Sequence, residues 1–269
     1  MAAPSTTYSV HAYNISHASE NKIHDDTVAQ KLGFTGGLVP GVEVFAYASH
    51  PVVQRWGRDW LERGQLEARF LKPVYDGRTA VVTATPSGDT LELKVESDGV
   101  LCATGTASLA ASAPPAPSLA AYQERRPPEA SARPPADEAS LAEGNWLSSR
   151  PLALTAQVAA DYLRDVREPA PIYAKENIAH PGLLLRQCNL ALRDNVLLPP
   201  WIHTGSKMQN FASGRIGDTL SVRSRVVANY ERKGHRLVDL DCLVIANGDR
   251  VLAQVLHTAV YQLRHLAAA

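Results

Sequence analysis

Apolar positions along the chain fall into two runs of helical length, each followed by shorter stretches that alternate. The first run, Val42 to Trp56, opens at Pro40-Gly41; the second, Leu183 to Leu197, opens at Pro181-Gly182. Runs of this length behind a helix-starting proline predict two buried helices. Four strand signals follow the first, at about 65–72, 78–85, 89–97 and 100–109. Four follow the second, at about 202–211, 219–230, 235–246 and 250–263. Thr79-Ala-Val-Val-Thr-Ala-Thr and Thr90-Leu-Glu-Leu-Lys-Val-Glu are rich in β-formers. Ser87-Gly-Asp, Ser97-Asp-Gly, Lys233-Gly and Asn247-Gly-Asp supply hairpin turns.

The two sets look like copies. The helix openings are 141 residues apart, and Lys72-Pro-Val-Tyr-Asp-Gly-Arg-Thr lines up with Ala212-Ser-Gly-Arg-Ile-Gly-Asp-Thr at 140. Asp98-Gly-Val-Leu-Cys-Ala echoes Asn247-Gly-Asp-Arg-Val-Leu-Ala with two extra residues. Weak identity at a nearly constant spacing, element by element, is the mark of a duplicated unit. Between the copies, Ala113-Pro-Pro-Ala-Pro, Arg125-Arg-Pro-Pro and Arg133-Pro-Pro hold seven of the 18 prolines and no apolar period, which predicts an extended linker. The chain therefore divides into an N-terminal unit 1–110, a Pro/Ala-rich linker 111–142 and a C-terminal unit 143–269. A helix followed by an antiparallel meander buries itself by curling the sheet around the helix. Two such units remove an exposed edge by pairing edge to edge. The expected class is α+β, with two antiparallel sheets, each wrapped around a central helix.

Composition narrows the function classes. The 269 residues carry 27 Lys+Arg against 27 Asp+Glu, so there is no overall electrostatic footprint for nucleic acid or an anionic membrane. No run approaches the roughly 18 apolar residues of a membrane span, and the start, Met1-Ala-Ala-Pro-Ser-Thr-Thr, lacks the pattern of a secretory signal. Cys102, Cys188 and Cys242 are far apart, without CxxC spacing. That disfavours a zinc site or disulfide framework, predicts packing roles and suits a reducing cytoplasm.

The chemistry concentrates in Ala18-Ser-Glu-Asn-Lys-Ile-His-Asp-Asp-Thr-Val-Ala and Gly33-Phe-Thr-Gly-Gly-Leu-Val-Pro-Gly41. This stretch resembles the MaoC-like, or hydratase-2, branch of the hot-dog fold, whose motif reads Gly-Asp-x-Asn-Pro-(Leu/Ile/Val)-His. In that branch a Gly-Phe pair follows nine or ten residues later, and a His-Gly pair starts the central helix. Asn21, Ile23, His24, Gly33-Phe34 and Gly41 match; Ser19 stands for the family's catalytic Asp, Lys22 for Pro, and Pro40 for the His before Gly41. The resemblance covers both halves and implies a double hot-dog. It also implies a hydratase or dehydratase of the enoyl-CoA hydratase 2 type, acting on an enoyl or 3-hydroxyacyl thioester without a cofactor or metal.

In that chemistry an Asp and a His hold one water, and a backbone N–H at the helix start stabilises the enolate. The resemblance thus makes His24 the general acid/base, Asn21 the group orienting its water, and Gly41 the oxyanion donor. Gly36, Gly37, Val39 and Pro40 fall on the substrate side. The missing carboxylate is replaced by Glu20 if the backbone bulges there, by Glu168, or not at all; Ser19 can hold a water but is no base. Asp25 and Asp26 suit a helix N-terminus for dipole reasons. The second half carries a degenerate copy, Arg167-Glu-Pro-Ala-Pro-Ile-Tyr173, eight residues shorter before its helix. This resembles the lid-shortened, substrate-accommodating half of double hot-dog hydratases and implies a substrate larger than crotonyl. Tyr173, Glu168 and His180 then either contact substrate as a second polar site or simply pack. Lys72, Arg78, Lys207 and Arg215 are candidates for coenzyme A phosphates. His17, His50, His203, His235 and His257 are expected at the surface or in packing, and His11 and His265 near the ends.

The competing readings are the same scaffold used for another lyase, isomerase or cyclase reaction on a non-CoA substrate, and a non-catalytic acyl-binding protein. A pseudo-dimer within one chain is expected, open to further pairing as a homodimer.

Overall fold

The computed structural model describes residues 4–16 and 19–264; His17 and His265 lie outside them. In chain order the elements are β1 (Thr6–His11), α1 (Asp26–Lys31), α2 (Gly41–Arg63), β2 (Gly64–Phe70), β3 (Thr79–Ser87), β4 (Thr90–Ser97) and β5 (Val100–Leu109). The second half holds β6 (Trp146–Ser148), β7 (Leu152–Ala153), α3 (Ala156–Asp165), α4 (Ile172–Glu176) and α5 (Pro181–Arg193). It ends with β8 (Ile202–Asn210), β9 (Thr219–Arg232), β10 (His235–Ala246) and β11 (Arg250–Gln262).

All strands join one antiparallel sheet in the order β1-β3-β4-β5-β2-β8-β11-β10-β9-β6, with β7 beside β9. The order mirrors itself about the β2–β8 seam, where Gln65 to Arg69 pair with Gln209 to Gly205. Each half-sheet curls around its own central helix, and α2 packs against α5. Two helix-and-sheet units joined edge to edge, as the alternation predicts, thus form a pseudo-dimer in one chain. Among the described residues no helix is long and apolar enough to cross a membrane.

The duplication is legible bond by bond. The isolated bridge Leu38↔Tyr75 has its copy in Ile178↔Arg215. Val39 N–H donates to the Val74 carbonyl at 2.9 Å, as Ala179 N–H does to that of Gly214 at 2.8 Å. These pairs are 140 residues apart, which places His180 opposite Pro40, each at the N-cap of its central helix. The spacing of 141 read from Pro40-Gly41 and Pro181-Gly182 is therefore one residue out at the helix start: proline occupies the cap in one copy and the first helical position in the other.

Helix α2 outruns the expected end at Trp56. Its backbone breaks at Gly57 (φ 56°, ψ −137°), a left-handed conformation that glycine tolerates, and a last turn then carries the fully buried Trp60 into the core. β1 buries only Val10, a signal too weak to stand out in the sequence. α3 starts from Thr155, whose hydroxyl accepts the Val158 N–H at 3.2 Å. The Pro/Ala-rich segment runs largely extended, with short 3-10 turns at Leu119–Ala121 and Ala130–Ala132 and a further turn in which the Leu141 N–H donates to the Asp137 carbonyl at 3.0 Å. It works as a strap: Tyr122 packs with Leu243 and Ile245, away from the main core, and its hydroxyl donates to Asp241 at 2.8 Å. Covered on both faces, Cys242 to Ala246 read as an unbroken apolar run. The three cysteines are buried and unbridged.

Candidate active site

The motif segment folds into a tight turn in front of α2. The Asn21 side chain caps the 3-10 turn Lys22–His24, accepting the Ile23 N–H at 3.4 Å. It also reaches the other half: Nδ2 donates to the Trp201 carbonyl at 2.9 Å and Oδ1 accepts the Trp201 N–H at 3.2 Å. His24 is buried, and its Nδ1 lies 2.7 Å from the Leu38 carbonyl. A carbonyl only accepts, so Nδ1 carries the proton and Nε2 the lone pair, 3.3 Å from Asn21 Nδ2. Asp25 caps α1 through the Val28 N–H at 3.0 Å, and Asp26 Oδ1 accepts the Gly37 N–H at 2.6 Å.

His24 and Asn21 open on a cavity of about 350 Å³ that the two halves build together. The N-terminal half supplies Ile23, Leu38, Val39, Pro40, Gly41, Val44 and Phe70. The C-terminal half supplies Asn189 of α5, Trp201 to Thr204, His235 and Val260. Lys72 is exposed and belongs both to this wall and to the neighbouring depression. No Asp or Glu is among the described residues of the wall.

Helix α2 has no side-chain cap, so the N–H of Gly41, at its first position, lacks an intrahelical partner and is available to a ligand. An ideal Cβ on Gly41 would lie 2.9 Å from His203 Nδ1 and 3.2 Å from Phe70 Cδ2, so only glycine lets the β8 wall close onto the helix start. Glu43 in the first turn is buried, and neither carboxylate oxygen has a hydrogen-bond partner among the described residues. Burial pushes its pKa up to about 7, against a smaller opposing effect of Arg186. Up to neutrality it therefore stays uncharged and does not quench the positive helix end.

The raised pKa gives a stability signature. The unfolded chain ionises Glu43 above about pH 4.5 while the folded protein keeps it protonated to about 7, so stability falls across that window. Glu43→Gln is expected to be more stable than wild type by about 3 kcal/mol at pH 8 and no more stable at pH 4, measured by denaturant unfolding at both.

Other sequence-derived site residues lie elsewhere. Glu20 is largely exposed and paired with Arg133 at 3.0 Å, so it is not the replacement carboxylate. Its neighbour Ser19 donates through its hydroxyl to the Asn21 carbonyl at 3.1 Å and is not part of the wall. Gly36 and Gly37 line the separate depression with Asp26, Tyr75, Asp76 and Arg78. Lys207 faces another groove, with Glu67 and Arg69, and Arg215 sits in the turn held by Asp218.

Glu168, Tyr173 and His180 belong to a second, closed cluster. Glu168 Oε1 accepts from His50 Nδ1 and from the Ala170 N–H, both at 2.7 Å. His180 Nε2 lies 3.4 Å from Oε2, in contact but not aligned as a hydrogen bond. Burial opposes the Glu168 charge, but His180, His50 and the Ala170 N–H outweigh it and hold its pKa at about 2. Tyr173, Tyr162 and His180 fill the space before α5, and α4 stands where the deletion was expected to remove the lid. The expected widening of the C-terminal half is therefore not realised at this end.

Sequence reasoning missed Asn189, Trp201, His203 and His235 as cavity residues. The one available signal was in β8, where polar His203 and Ser206 both face inward, three residues apart. A bulge opposite Thr258/Ala259 puts them on one side. His203 Nε2 meets Ser206 Oγ at 2.8 Å, and that oxygen meets His257 Nδ1 at 3.0 Å. Burial holds both imidazoles neutral, with the His257 pKa lowered to about 3.

No protein-family model and no curated protein matches this sequence. Solved structures do. A MaoC domain protein dehydratase from Chloroflexus aurantiacus superposes with a TM-score of 0.65 over 98% of this chain and 96% of its own, at 11% identity. A conserved hypothetical protein from Mycobacterium tuberculosis, described as a double hot-dog, gives 0.63 over 96% of each chain at 15% identity. An N-terminal dehydratase from the difficidin assembly line gives 0.52 over 97% and 94% at 15% identity. The likeness spans both halves and establishes the fold: the chain is a double hot-dog protein, with the architecture that MaoC-like dehydratases share.

Proposed function

We propose that the protein is a hydratase/dehydratase of an enoyl or 3-hydroxyacyl thioester, with His24 as its general acid and base. The observation that carries this reading is the sharing of one cavity by His24, its tautomer set by Leu38, and the uncapped start of α2 at Gly41. In dehydration, Nε2 takes a proton from the carbon next to the thioester carbonyl, and the electron pair moves onto the carbonyl oxygen. Gly41 N–H and the helix dipole stabilise that oxygen. The enolate re-forms the carbonyl and expels the 3-hydroxyl, which receives the proton from the imidazolium and leaves as water. Hydration is the reverse.

With no carboxylate among the described residues of the wall, one base serves both transfers, so elimination takes place on a single face of the substrate. The same feature favours a second reading, in which His24 carries a proton between two carbons and shifts a double bond. A screen of purified protein against enoyl thioesters of varied chain length separates them. Hydration removes the conjugated enoyl absorbance and adds the mass of water, whereas an isomerisation leaves the mass unchanged. Absence of any water addition across the screen overturns the hydratase reading.

A further inference from the structure

The hydratase reading leaves open what holds the reacting water or hydroxyl opposite His24, since the motif position that would carry a carboxylate is Ser19, off the wall. Most polar side chains of the cavity are already engaged. Asn21 is spent on the Trp201 backbone and on His24. Thr204 Oγ1 donates to the Thr258 carbonyl at 3.2 Å. His203 uses Nε2 on the Gly205 carbonyl and Ser206, while its Nδ1, packed towards Gly41, has no hydrogen-bond partner among the described residues. His235 Nδ1 accepts the Arg264 N–H at 3.2 Å.

Asn189 differs. It stands on α5, contributed by the opposite half, and lines the same cavity. Its Oδ1 is buried without a hydrogen-bond partner among the described residues. Asparagine is a poor residue for a helix interior, and a buried acceptor without a partner costs free energy until something fills it. The duplicated unit provides an internal control. The residue 140 positions earlier, Ser49 on α2, is equally polar but satisfies itself by donating to the Ala46 carbonyl at 2.8 Å. Only the copy that faces the His24 cavity keeps its polar capacity unspent.

We infer that the Asn189 amide is a substrate-touching residue of this reaction. It holds the water to be added, or the 3-hydroxyl to be lost, by donating through Nδ2 to that oxygen. The C-terminal half thereby supplies the partner that the N-terminal motif lacks. The inference rests on the hydratase reading and specifies its substrate class further: an acyl chain with a hydrogen-bonding oxygen at C3.

The test uses the enoyl thioester that the full-length protein hydrates fastest. Asn189→Leu is expected to lower kcat about 100-fold, while binding of the saturated thioester, which has no such oxygen, is unchanged. Asn189→Asp keeps the shape and adds a titratable group. It is expected to stay active and to gain a carboxylate ionisation on the acid side of its pH profile, which a merely structural residue would not introduce. Undiminished kcat in Asn189→Leu, or an unaltered pH profile in Asn189→Asp, overturns the inference and leaves the hydratase reading standing. A wild-type protein that hydrates no enoyl thioester overturns both.

Discussion

Replacing His24 with alanine is expected to lower turnover of a medium-chain or branched enoyl thioester by at least about 100-fold, the usual size of a lost acid/base group. The fold should tolerate the change. The turn before α1 is held by the Asn21 cap and by the Asp25 and Asp26 hydrogen bonds, none of which involves the His24 ring. The cavity wall is anchored by Leu38, through its bridge to Tyr75, and by Asn21, through the Trp201 backbone. The expected pattern is therefore a fall in kcat with little change in binding of a saturated thioester, read by steady-state kinetics and calorimetry. Wild-type turnover in His24→Ala excludes the mechanism.

The second large effect is on stability. Glu168→Leu is expected to cost about 3–5 kcal/mol, because it deprives two buried imidazoles of the carboxylate between them. A loss of that size corresponds to a melting temperature lower by roughly 10 °C in a chain of this length. The wild-type Glu168 carboxylate also has a defined pH window. Its folded pKa, about 2, is below the usual carboxylate value, so its contribution is complete above about pH 4.5 and fades as pH falls towards 2. Unfolding followed from pH 6 to pH 2 should show this dependence in wild type and not in Glu168→Leu. Turnover per folded molecule should be unaffected, since the cluster is off the His24 cavity wall. A melting temperature equal to wild type would remove the argument that the two buried imidazoles depend on this carboxylate.

Strand limits were legible because alternation is interrupted by turn residues that tolerate positive φ, such as Asp98, Lys233 and Asn247, whose structural φ values are 51–55°. The duplication was legible for the same reason, as turns repeat with their strands. Within the candidate site, His24, Asn21 and Gly41 came from the resemblance of one contiguous segment to the MaoC-like motif. Asn189, Trp201 and His203 did not, because pairing of β2 with β8 and packing of α2 on α5 bring them there, and neither leaves a local mark. The competition for Glu168 was equally invisible: His50 is 118 residues away, and only the packing of the helices sets it against the carboxylate. Glu20, next to Asn21 in sequence, turns outward to Arg133 of the strap.

The seam between β2 and β8 has one more consequence. The halves are knitted by a five-residue ladder, by contact between their helices and by the Asn21 amide on Trp201, so covalent continuity through the proline-rich tract is not what keeps them together. A chain nicked by a protease near Arg125-Arg126 should persist as a two-fragment complex and co-elute on a sizing column.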